Sequence, residues 1–167
     1  MVVVVVTDPC APGAGVFLYE ARRVLLILHA AGSIVLIGAA THHARLMRKS
    51  LRGRFERLEK TYAKVVSIAY LVTFALGALV YPSYRVHVRG EYLDRFAPAY
   101  AGLFDAKEMY ATLCLIPALA LGALAFVRGP TEPVIARITA VLSYILCAVV
   151  WFNVIAGLLV VSVRGVG

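Results

Sequence analysis

The chain reads as an all-α integral membrane protein, a four-transmembrane-helix bundle with a long interfacial extracytoplasmic loop between helices 2 and 3. Three observations predict it. Four apolar blocks, 24–40, 65–81, 109–127 and 134–161, carry Arg137 as their one charged residue. Each approaches or exceeds the length needed to cross a hydrocarbon core of about 30 Å. A dense basic stretch follows the first block, and a neutral, tyrosine-rich stretch follows the second. The whole chain, 1–167, is then one polytopic domain, with no room left for a soluble one.

The first 15 residues open with a valine run too short to span, then pass through Pro9, Pro12, Gly13 and Gly15. This predicts an irregular segment with at most a short strand. Five valines without a basic lead make no convincing signal peptide. Span one ends at Thr41-His42-His43, and eight of the 17 basic residues lie between Arg45 and Lys64. Basic loops resist translocation, so this one is expected on the cytoplasmic side of an inner membrane. It would touch anionic lipid headgroups there, which accounts for the formal net charge of +8. No aromatic-interleaved basic groove accompanies the charge, so nucleic acid is not an expected partner. Glu56 and Glu59 stand at helical spacing from Lys60 and Lys64 and continue the second half of the loop into span two.

Tyr81-Pro82 is expected to close span two, since the proline ring disfavours helix in the residue before it. The connection 82–108 balances Arg85, Arg89, Arg95 and Lys107 against Glu91, Asp94, Asp105 and Glu108. Its neutrality places it opposite the basic loop, with both termini on its side. Short interfacial helices are expected at 92–96 and 100–104. Span three carries Pro117 and should kink there. Arg128-Gly129-Pro130 is read as a turn, with Thr131 capping span four. Small residues line one face of span three (Ala111, Cys114, Ala118, Gly122, Ala125) and one of span four (Ala136, Ala140, Ser143, Cys147). Those two faces are expected to meet.

Candidate chemistry sits in two places. His29 and His43 are fourteen residues apart, about 21 Å along a helix and on nearly the same face. That spacing resembles one ligand helix of the dihaem b-type cytochromes, and the resemblance implies haem b on His29 and His43, with Met109, a symmetry mate or another subunit supplying the partner ligand to His29. The fragment LHAAGSIVLIG, 28–38, also resembles first helices of several small polytopic families, copper-resistance membrane proteins among them. The alternatives for His29 are a proton or quinone contact and a hydrogen bond across the bundle, and Asn153 is expected to make an interhelical hydrogen bond. The second place is the tyrosine-rich connection, where Tyr81, Tyr84, Arg85, Arg89, Lys107 and Glu108 offer hydroxyls and charges to a quinone headgroup or a partner subunit.

Three cysteines form no metal-binding or disulfide pattern. No H-E-x-x-H, phosphate loop or G-x-S-x-G occurs, so no catalytic residue and no metal site is assigned. The leading expectation is a non-catalytic subunit of a larger, energy-transducing inner-membrane assembly, in contact with lipid and with other membrane subunits or copies of itself. The rivals are a haem b- or quinone-contacting electron-transfer subunit and a small-solute or proton carrier.

Overall fold

The computed structural model describes residues 18–50, 56–127 and 133–164. The expected N-terminal segment with Cys10, the Arg128–Pro130 turn and the Thr131 cap lie outside them. Four of its helical stretches are long and apolar enough to cross a membrane, which makes this a multi-pass membrane protein.

Helix α1 spans Arg22–Ser50 and α2 spans Glu56–Tyr84. The expected basic loop is therefore mostly helix. Ala44, Leu46 and Met47 are buried, and so are Glu59 and Ala63 opposite them, so packing holds both ends helical beyond the apolar blocks.

The expected loop between spans two and three is also replaced by helix. Pro82 sits inside α2, which passes directly into a π-helical stretch, Arg85–Leu93, and a short helix α3, Asp94–Phe96. Burial gives the reason. Tyr84, Val88 and Leu93 are all buried, and the step from 88 to 93 is five residues. An α-helix would turn Leu93 away from Val88, whereas five-residue π hydrogen bonding keeps both on one face. The chain breaks at Ala97, and Pro98 opens helix α4, Pro98–Leu113. Proline is suited to this first position, where no N–H is needed. Span three thus begins at Pro98, and Lys107 and Glu108 lie inside it rather than at its mouth.

Helix α5, Leu115–Val127, continues α4 after an interruption at Cys114. Pro117 explains it, because its ring clashes with the carbonyl four residues earlier, that of Leu113. The Tyr70 hydroxyl of α2 donates to the Ala111 carbonyl at 2.7 Å beside the break. Helix α6, Pro133–Val163, completes the fold and is about 46 Å long at 1.5 Å per residue.

Each span packs on the next, and α6 closes the ring against α1. Neighbours run antiparallel, as the pairs His29–Thr73 and His43–Glu59 require. The small-residue faces do not meet as expected. On Gly122 a Cβ would stand 2.5 Å from the Ser67 Oγ, so that face looks at α2. Ser143 of α6 reaches His43 of α1 instead. Buried apolar residues form two separate clusters. The larger, with Leu36, Tyr70, Cys114, Ala118 and Val150, fills the middle of the bundle. The smaller, with Tyr84, Val88, Leu93, Phe104 and Val160, fills the tyrosine-rich end.

Candidate functional site

The gap between the two apolar clusters holds the candidate site. On α2 it falls between Tyr70 and Tyr84, on span three between Phe104 and Cys114, and on α6 between Val150 and Val160. The residues there are Thr73, Gly77 and Tyr81; Lys107 and Glu108; Asn153 and Gly157. From α1, His29 enters the same layer, one full heptad before Leu36.

His29 packs on α2 because Gly77 has no side chain. A Cβ there would lie 3.0 Å from the His29 Cε1. The ring stands at 2.9 Å from the Thr73 carbonyl through Nδ1. A carbonyl only accepts, so Nδ1 carries the proton and donates, and Nε2 is a bare acceptor. Nε2 has no partner among the described residues. Lys107 lies along α6, where a Cβ on Gly157 would be 3.5 Å from its Cε. Its ammonium is 5.9 Å from the Phe104 ring centroid, within cation–π range. It is close enough to His29 and Glu108 to act on both electrostatically.

Of the six residues expected around the tyrosine-rich stretch, four converge. Tyr81 hydrogen-bonds to the Glu108 carboxylate, which also feels Lys107, Asp105 and Arg89. Arg89 forks onto Asp105, with Nη2 donating to Oδ2 at 2.9 Å, and its Nε lies 3.6 Å from Asp94. The π-helical stretch is thereby clasped to α4. Arg85 is exposed and only covers the Tyr81 ring, at 5.9 Å. Tyr84 turns into the smaller apolar cluster and stacks on Phe104 at 4.9 Å.

His43 belongs to a different centre, near the basic end. His43 and Glu59 are each 1% exposed and Ser143 is 2% exposed. The His43 Nε2 donates to Glu59 Oε1 at 3.3 Å, and Nδ1 meets the Ser143 hydroxyl at 2.8 Å. With Nε2–H donating to Glu59, the neutral ring leaves Nδ1 to accept from the Ser143 hydroxyl. Three helices are tied through one ring, and neither nitrogen is left to ligate. His42 lies outside this network and stacks on Tyr62 at 5.0 Å. Among the described residues no three His, Cys, Asp or Glu gather as a metal would need.

Sequence reading did not single out Glu59 as a site residue, nor Thr73, Gly77 or Gly157. Glu59 stands in a run of charges that looks solvated, and only tertiary packing turns it inward. Asn153 was expected to bond another helix, but its Nδ2 donates to the Val149 carbonyl of its own helix at 2.9 Å. Its Oδ1 is buried without a partner.

Comparison with protein-family models, curated proteins and solved structures finds no match to this chain.

Proposed function

We propose that this protein is a non-catalytic membrane subunit that assembles with another membrane-embedded chain, or with a second copy of itself, through the outward face of α1. The observation that carries the reading is the spacing of that face. Ile27, Ala31, Ile34 and Gly38 follow one another at intervals of four, three and four, and all are exposed. A Cβ on Gly38 would meet nothing within 4 Å. Intervals of four and three keep a single stripe towards a partner helix. Small residues in it permit the close approach that helix association in lipid depends on.

The His43–Glu59–Ser143 centre supports the non-catalytic part. Its polar groups answer one another in a buried set that ties three helices together. It also leaves the two-histidine haem reading without its second ligand, since both nitrogens of His43 are engaged within the bundle. A carrier would need a continuous polar path, and the larger apolar cluster stands between the two polar centres.

The assembly reading is tested by cross-linking and sedimentation of the full chain in mild detergent with its co-purifying proteins. Gly38→Leu and Ala31→Leu should dissociate the complex while leaving the melting temperature unchanged. A native protein that sediments as a lone monomer, or variants that remain assembled, would overturn the reading.

A further inference from the structure

An apolar groove of about 310 Å³ runs along the seam between α1 and α2, lined by Gly32 and Val35 from one helix and by Val65, Ile68, Ala69 and Val72 from the other. Its floor is low because Gly32 and Ala69 are small. Its rims, Val35, Ile68 and Val72, are exposed, so the groove opens outward to the bilayer. Thr73 closes the inner end and sets its hydroxyl against Gly32, where a Cβ would stand 2.9 Å from Oγ1. The rest of the wall is aliphatic. A groove of this kind gains dispersion contacts only when another hydrocarbon fills it.

Both rims continue as straight rows to the basic end. On α1, Val35, His42 and Lys49 stand seven apart and all are exposed. On α2, Leu58, Val65 and Val72 do the same. Positions seven apart on a helix stay within about 20° of one another, so each row follows one edge of the seam. Between groove and basic end, His42 stacks on Tyr62 of α2 at 5.0 Å and bridges the seam. Arg45, also exposed, stands one turn before Lys49. From Val35 to Arg45 is about 15 Å along the helix. That is half of a hydrocarbon core about 30 Å thick. Groove and cations are therefore one leaflet apart, as the chain of a lipid and its headgroup are.

We propose that the seam between α1 and α2 holds one anionic phospholipid, with an acyl chain in the groove and its phosphate at Arg45 and Lys49. Arginine forks onto phosphate oxygens, and lysine adds a point charge. The His42–Tyr62 pair lies at the depth of the glycerol, where amphipathic rings are favoured. The groove alone would accept the chain of any lipid. The cations choose a head with net negative charge. The site lies beside the Ile27, Ala31, Ile34 and Gly38 stripe of α1, turned towards α2.

The test titrates the full chain in mild detergent and counts bound molecules by native mass spectrometry. The probes are dioleoyl phosphatidylglycerol, dioleoyl phosphatidylcholine and glycerol phosphate. One phosphatidylglycerol should be retained with an affinity about tenfold or more above that of phosphatidylcholine, which has the same chains and no net charge. Glycerol phosphate, a phosphate without chains, should not bind measurably. Val72→Trp fills the groove from an exposed rim, and Arg45→Gln with Lys49→Gln removes the cations. Each should weaken phosphatidylglycerol binding by about tenfold. Comparing the probes on the native protein keeps the test valid even where a variant folds poorly. Equal binding of the two lipids, binding of glycerol phosphate as tight as that of phosphatidylglycerol, or unchanged binding in either variant would overturn the proposal. Should a second copy cover the seam instead, the protein would sediment as a dimer that retains no phosphatidylglycerol, and the proposal fails. Assembly through the α1 stripe is read separately, by Gly38→Leu.

Discussion

The single ring of His43 ties α1, α2 and α6 together. Its value lies in having both nitrogens answered, so the cost of losing one partner depends on what is left behind. Glu59→Gln keeps an oxygen that accepts from Nε2, whereas Glu59→Leu leaves a buried N–H with nothing. The penalty for such an orphaned group is about 1–3 kcal/mol. Thermal unfolding in detergent should therefore rank Glu59→Leu well below Glu59→Gln, with the native protein highest. Equal losses would show that filling space, not accepting a hydrogen bond, is what Glu59 does there. His43 was visible in the sequence as a candidate, because a histidine ending an apolar run is unusual. Its partners were not. Glu59 and Ser143 are 16 and 100 residues away, and no local pattern announces that they face the same ring.

At the scale of elements, the apolar blocks forecast the spans well because burial from water and helical length are properties of contiguous residues. Pairings between faces are not. Small residues mark Gly122 as a place of close approach, but they do not say which helix approaches. Here it is α2, whose Ser67 donates to the Ala118 carbonyl at 2.7 Å and fills the notch that Gly122 leaves. Gly122→Ala would put a carbon 2.5 Å from the Ser67 Oγ and force α2 and α5 apart. Overpacking of this kind costs about 1–3 kcal/mol. Adding Ser67→Ala should recover part of the loss, and a double-mutant cycle on melting temperatures reads the coupling. Strict additivity would mean that the two positions do not touch. The same limit explains the expected loop at 82–108. Prolines, charges and tyrosines read as irregular one residue at a time, while the burial of Tyr84, Val88 and Leu93 against span three and α6 keeps the stretch helical.

For the whole molecule, four antiparallel spans place the start of α1, the end of α6 and the tyrosine-rich stretch at one end, and the positive charge at the other. Exposed Arg45, Arg48 and Arg57 stand at that basic end, and Glu59, one of its carboxylates, is buried against His43. At the opposite end Arg89 is neutralised by Asp94 and Asp105. Lysine and arginine close to a span, not net charge over the whole chain, decide which side stays in the cytoplasm. The prediction is that the basic end faces inward. With Cys10, Cys114 and Cys147 replaced by alanine, Arg48→Cys and Arg95→Cys each carry one thiol on an exposed position. A membrane-impermeant maleimide added to intact cells should label Arg95→Cys at once and Arg48→Cys only after lysis. The reverse pattern would invert every span together, because an antiparallel ring offers no way to turn one helix alone. It would also move the His29 layer from the outer leaflet to the inner one.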